Sequence, residues 1–195
     1  MKWWEKTIEY KFIKEFIHLD DFVAPLDGNE EKAGDAIFSN NNYWVLIEFK
    51  KDKSSIASEQ DKFENYYEAK KELSEKDTHH IIVYGKLNKE SKNIDLRAQT
   101  YFSEKDISQI TKTLQYGIGT NEFKNYLDVF LKYKKGSKVE GGSGGYSFVA
   151  GVTNDGQITK CLTLEEFSKE VELSIKLKQE PTRSQSYTMK GPGRW

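Results

Sequence analysis

The sequence predicts an α/β protein built on a mixed β-sheet, and three observations carry that reading. Apolar side chains recur at three- and four-residue steps in several segments, the mark of amphipathic helices. Between them lie short runs rich in β-branched and aromatic residues, foremost Tyr43 to Lys50 (Tyr-Trp-Val-Leu-Ile-Glu-Phe-Lys). Helical and strand patterns also alternate along the chain rather than falling into separate blocks.

Taken in order, residues 3–19 read as a helix, with Trp4, Ile8, Phe12, Phe16 and Leu19 on one stripe. Leu26-Asp27-Gly28-Asn29 is a turn, and Gly34 to Ser39 is a short strand candidate. Asn40-Asn41-Asn42 fits a tight reversal that would lay this strand beside Tyr43–Lys50 as a hairpin. A helix is expected over 56–75, carrying Ile56, Phe63, Tyr66, Tyr67 and Leu73. His80 to Gly85 is a near-continuous apolar run, as in a strand covered on both faces. Ile94 to Phe102 alternates as a further strand. Residues 103–116 and 120–133 read as helices, the first with Ser103 as its cap. Lys132, Lys134, Lys135 and Lys138 form a basic stretch, open between a solvated helix end and phosphate contact. Gly141 to Gly145 is a flexible joint without the Lys-Ser/Thr of a phosphate loop. Tyr146–Val152 and Gln157–Cys161 pair across Asn154-Asp155-Gly156, and Thr163 with Glu166 makes a capping box opening a helix to about residue 178. The polar tail 181–195 closes the sequence.

Composition narrows the function classes. Of 195 residues, 36% are hydrophobic and 31% charged, but 11 Phe, 11 Tyr and 4 Trp supply enough large apolar surface for a core. The net charge of −1 argues against a protein that coats nucleic acid by charge alone, while leaving room for a nuclease whose acidic metal site offsets a basic groove. No apolar run is long enough to span a bilayer, and the N-terminus lacks a signal-peptide core, so a cytoplasmic location is expected. The lone cysteine, Cys161, excludes an internal disulfide and reads as a small buried hydrophobe. His79 and His80 are adjacent, and neighbours on a strand point to opposite faces, so they are not expected to share one ion.

The chemistry concentrates in one place. Glu48 and Lys50 lie two apart on the strongest strand and therefore project from the same face. If Gly34–Ser39 pairs with that strand, Asp35 comes near Glu48, and two carboxylates meet one ammonium. Mg²⁺ takes hard oxygen ligands, commonly one or two carboxylates with phosphate and water. A lysine beside it can position water and offset developing negative charge. Glu-x-Lys also occurs at Glu9, Glu30, Glu68, Glu90 and Glu122, but those copies sit in helical or polar segments; the Glu48 copy ends an apolar β-run.

Gly34-Asp35 followed by Ile47-Glu48-Phe49-Lys50, after one helix and before another helix and a strand, resembles the PD-(D/E)xK nuclease superfamily. Gly34 stands where the name-giving proline would be. The resemblance implies a restriction-endonuclease-like mixed sheet with an α-β-β-α-β core over residues 1–135, plus a C-terminal hairpin and helix within 136–195. It implies Asp35 and Glu48 as metal ligands with the Phe49 carbonyl, Lys50 as the catalytic lysine, and Mg²⁺, or Mn²⁺ in its place, as the cofactor. A glutamate of the first helix often joins such sites; Glu9 is preferred here over Glu15. Gln60, Lys51 and Lys53 would contact substrate. The implied activity is phosphodiester hydrolysis in DNA, with RNA left open, in restriction, phage defence or repair. The implied assembly is a homodimer or a larger defence complex. The competing reading is the same fold without catalysis, serving as a protein- or nucleic-acid-interaction module.

Overall fold

The computed structural model describes residues 3–17, 43–135, 147–164, 166–169 and 171. The elements are α1 (Glu5–Phe16), β1 (Tyr43–Lys50), a 3-10 helix (Lys53–Lys62), α2 (Tyr66–Leu73), β2 (His80–Leu87), β3 (Ile94–Thr100), β4 (Asp106–Ile107), α3 (Ile110–Leu114), α4 (Thr120–Tyr133), β5 (Ser147–Val152) and β6 (Ile158–Thr163). The strands form one six-stranded mixed sheet in the order β4-β3-β2-β1-β5-β6. The α/β class read from the sequence is thus the class observed.

β1 is the centre of the sheet. It runs parallel to β2, with Leu46 opposite His80 and Lys50 opposite Tyr84, and antiparallel to β5, with Tyr43 opposite Val152 and Glu48 opposite Ser147. The parallel pairing needs a crossover, which the 3-10 helix and α2 supply. β5 and β6 extend the same sheet on the other side. The expected partner of β1, residues 34–39, lies outside the described residues. Along β1 the flanking positions are held by β5 on one edge and by Ile118 and β2 on the other.

Alternation along β1 sorts its side chains into two cores. Val45, Ile47 and Phe49 join Ile81, Val83, Ala98 and Ala150 beneath Ile8 and Phe12 of α1. Trp44 and Leu46 join Ile82 and Val149 beneath Phe123, Tyr126, Leu127 and Phe130 of α4, with Ala69 and Leu73 of α2. Fully burying one such large apolar side chain contributes roughly 1.5–3 kcal/mol. α1 comes so close to β2 that a Cβ on Gly85 would sit 2.5 Å from Ile8 Cδ1, which is why that position has no side chain.

Several expectations change, each for a local reason. Trp4 is not on the buried stripe of α1. It is the residue before the first turn, in extended conformation, and it is 67% exposed. The single helix expected over 56–75 is two pieces. Phe63 leaves helical geometry to bridge to Lys134 and bury its ring, and Asn65 restarts the helix by accepting from the Glu68 N–H at 3.2 Å. The helix expected from Ser103 begins only at Ile110. The Asp77 carboxylate instead accepts from the N–H groups of Phe102 and Ser103, both at 2.7 Å, fixing a turn that delivers Asp106–Ile107 to the edge of β3. α4 spans 120–133 as read. The hairpin turns at Gly156 with φ +83°, a region open to glycine. The capping box also forms: Thr163 N–H donates to Glu166 Oε2 at 2.7 Å, and Glu166 N–H donates to Thr163 Oγ1 at 3.1 Å. Cys161 is half-buried against the α1-side core, and burial pushes its thiol up to about 12.

His79 and His80 were expected on opposite faces. His79 precedes β2 rather than belonging to it, so both rings reach Tyr126, His79 with ring centroids 4.4 Å apart and His80 through Nδ1 and the Tyr126 hydroxyl at 2.8 Å. His79 is 1% exposed, neither of its ring nitrogens has a hydrogen-bond partner, and burial pulls its pKa down to about 4. A buried neutral histidine binds a proton in the unfolded chain before it does so in the folded one. Stability is therefore complete above about pH 6.5 and is lost as pH falls toward 4. This one group accounts for a loss on the order of 3 kcal/mol across that window. Denaturant titrations of wild type and His79→Phe at pH 7 and pH 4.5 check it: the variant, whose ring suits the same aromatic site, should show a clearly smaller loss. Equal losses would count against the buried neutral state.

Candidate active site

Strand geometry puts Glu48 and Lys50 on the α4-side face of β1, where alternation places them in line with Trp44 and Leu46. Neither is open to solvent: Glu48 is 1% exposed and Lys50 3%. The 3-10 helix, through Ser58 and Glu59, closes over Lys50, and Lys134 past the end of α4 closes over Glu48.

An ammonium buried this deeply needs compensating charge. Lys50 Nζ lies 2.7 Å from Glu59 Oε1, 3.5 Å from Glu5 Oε1 and 3.1 Å from Ser58 Oγ. Burial alone would lower its pKa, but Glu59, and then Glu5, raise it above the ordinary lysine value. Glu59 is itself 2% exposed and receives Lys62 Nζ at 2.7 Å and the Tyr101 hydroxyl at 2.6 Å. Burial would raise its carboxyl, yet the Lys62 charge and the bond from Lys50 hold it below the usual range. The Tyr101 hydroxyl is pushed far up by burial and by Glu59 and Glu48. Glu48 has a separate set of partners: it accepts from the Ser147 hydroxyl and faces Lys134 Nζ at 3.6 Å, while that ammonium also lies 4.5 Å from the Phe130 ring centre.

The other sequence candidates fall as follows. Asp35 lies outside the described residues. Phe49 turns its ring into the α1-side core. Glu9 is buried but held by Lys6 at 2.8 and 3.0 Å, and Glu15 pairs with Lys11. The first-helix glutamate that reaches the lysine is Glu5, one turn earlier than Glu9. Gln60 is exposed, and its neighbour Glu59 is the side chain turned inward. The Lys51 side chain is exposed, while its carbonyl accepts from Trp3 Nε1 at 2.7 Å. Lys53 is exposed, 3.4 Å from Asp106. Sequence reasoning missed Glu5, Glu59, Lys62, Tyr101 and Ser147, and it named Lys134 only within a basic stretch, not as a partner of Glu48. For Lys134 the signal was the basic end of α4, and for Glu59 a carboxylate on the element following the strand; Tyr101 and Ser147 gave none.

Among the described residues, no group of three or more His, Cys, Asp or Glu side chains is placed to hold a metal ion. Glu48 brings one carboxylate, already engaged by Ser147 and Lys134, so these residues alone do not make up a divalent-cation site. Among them, too, no helix is long and apolar enough to cross a membrane. Compared with protein-family models, curated proteins and solved structures, the chain gives no match.

Lys50 and Glu59 should be coupled energetically. Removing one partner of a buried pair strands the other charge, so Lys50→Ala should destabilise the fold by about 3 kcal/mol. A cycle of Lys50→Met, Glu59→Gln and the double variant, followed by urea unfolding, should give a coupling of about 1–3 kcal/mol. A coupling near zero would mean that the pair is not formed in solution.

Proposed function

We propose that the protein is a metal-dependent nuclease of the PD-(D/E)xK kind with a restriction-endonuclease-like core, hydrolysing phosphodiester bonds in DNA in restriction, phage defence or repair. The observation that carries this reading is the arrangement around Lys50. Glu48 and Lys50 share one face at the carboxyl end of the central strand, and carboxylates from the helix before it and the helix after it, Glu5 and Glu59, meet the same ammonium. The order α1, β1, helical crossover and parallel β2 supports it further, since ligands of open α/β sheets bind beyond the carboxyl ends of their strands.

In this reading Mg²⁺ or Mn²⁺, when bound, supplies charge neutralisation and an activated water. Its ligands would be Glu48 with Asp35. What the chain's own groups do follows from their contacts. Glu59, held anionic by Lys62 and Tyr101, keeps Lys50 protonated and fixes its direction. A charged Lys50 then stabilises negative charge building on a phosphate next to it. Lys134 offsets Glu48 in the free protein.

The Lys50–Glu59 contact is buried on both sides, with 4% and 3% of the side chains exposed, which also suits a structural ion pair in a fold that serves interaction rather than catalysis. Incubation with plasmid, linear duplex, single-stranded DNA and RNA separates the two. The nuclease reading expects cleavage with Mg²⁺ or Mn²⁺, none in EDTA, and a loss of at least about 100-fold, roughly 3 kcal/mol of barrier, in Glu48→Gln and Asp35→Asn. Circular dichroism must show both variants folded. Undiminished cleavage by folded Glu48→Gln removes the assignment, and inertness toward all four substrates with either metal leaves the interaction module.

A further inference from the structure

Beside the buried lysine the sheet opens into a cleft of about 710 Å³ lined by Trp3, Lys53, Tyr84, Lys86, Arg97 and Asp106, among others. Sheet register ties this cleft to Lys50. Lys50 stands opposite Tyr84, and Tyr84 opposite Arg97, so the three side chains form one row on one face across β1, β2 and β3. Two interstrand steps separate the ends of the row, about 10 Å. The cleft shares Arg97, Ile107 and Ser108 with a second one of about 600 Å³, which Lys11 also lines. Sharing those residues, the two form a track that turns round the β3–β4 edge of the sheet toward α1.

We infer that this track binds a single nucleic-acid strand, with phosphates on Lys53 and Arg97 and an unpaired base against Trp3. The inference deepens the nuclease reading and rests on it for its substrate class. The first cleft carries a small excess of positive charge, Lys53, Lys86 and Arg97 against Asp52 and Asp106. Lys53 and Arg97 are 65% and 50% exposed, and their acidic neighbours hold them loosely, Asp106 at 3.4 Å and Asp95 at 3.7 Å, so a phosphate can take over either partner. Asp52, also in the lining, keeps its negative charge, which the Lys51 ammonium 3.9 Å away partly offsets. Trp3 is pinned by its N–H to the Lys51 carbonyl, which holds its ring at the cleft wall. Basic grooves with fixed aromatic faces hold single strands, whose bases are free to stack, whereas paired bases are already stacked.

Binding is measured with the full chain in EDTA, by fluorescence anisotropy of a labelled fifteen-residue oligothymidylate, between 50 and 200 mM salt. Lys53→Ala and Arg97→Ala should each weaken binding about three- to tenfold and reduce the slope of log K against log salt by about 0.7, the value for one phosphate contact on a single strand. Lys124→Ala, on α4 and paired with Asp128, should leave both unchanged. The inference is overturned if wild type does not bind the oligonucleotide, if the two cleft variants bind like wild type, or if a duplex of equal length binds more tightly. Because EDTA excludes metal-dependent cleavage, failure of the nuclease reading looks different: the strand is held through Lys53 and Arg97, yet no nucleic acid is cut.

Discussion

A lysine sealed beneath a sheet sets the terms for everything around it. Lys50 ends β1 with its ammonium 2.7 Å from Glu59 and 3.5 Å from Glu5, and those two partners come from elements on either side of the strand in sequence. The 3-10 helix must bring Glu59 inward, α1 must start where Glu5 can reach, and Lys62 and Tyr101 must hold Glu59 charged. Without the network the burial would be too costly to keep, since unpaired charge in a protein interior is strongly unfavourable. The same contacts that stabilise the end of the central strand give Lys50 a fixed protonation state and a fixed direction.

The rest of the fold serves to hold β1 in place. Covered by α1 on one face and by α4 on the other, and flanked by β2 and β5, the strand has little freedom to move. The aromatic cluster of Tyr101, Phe102, Tyr126 and Phe130 fills the space between the sheet and α4 and surrounds His80. Lys134, just past the end of α4, reaches Glu48 from the same side, so the position of that helix bears on both halves of the polar network. β5 contributes Ser147 to Glu48, which gives the C-terminal hairpin a place in the site as well as in the sheet.

Much of this was legible one residue at a time. The recurrence of Phe123, Tyr126, Leu127 and Phe130 at three- and four-residue intervals marks the buried face of α4, and Asn154-Asp155-Gly156 and the Thr163–Glu166 capping box state their own local geometry, because each depends on contacts within a few residues. Elements whose limits depend on distant partners were misread. Phe63 breaks a helical pattern to pair with Lys134, and Asp77 caps a turn 25 residues away at Phe102. No period in the sequence records either event.

For the site, the sequence by itself determined that Glu48 and Lys50 share a face, because strand alternation is a property of the backbone. It also determined that they end an apolar strand. Only the tertiary structure decided what they meet: Glu5 rather than Glu9, Glu59 rather than Gln60, and Ser147 and Lys134 at Glu48. The physical reason is range. Alternation and capping are fixed by bonds and neighbours along the chain, whereas the partner of a buried charge is whichever group the packing of separate elements brings within about 3–4 Å, and charge alone does not say which of 31 acidic residues that will be.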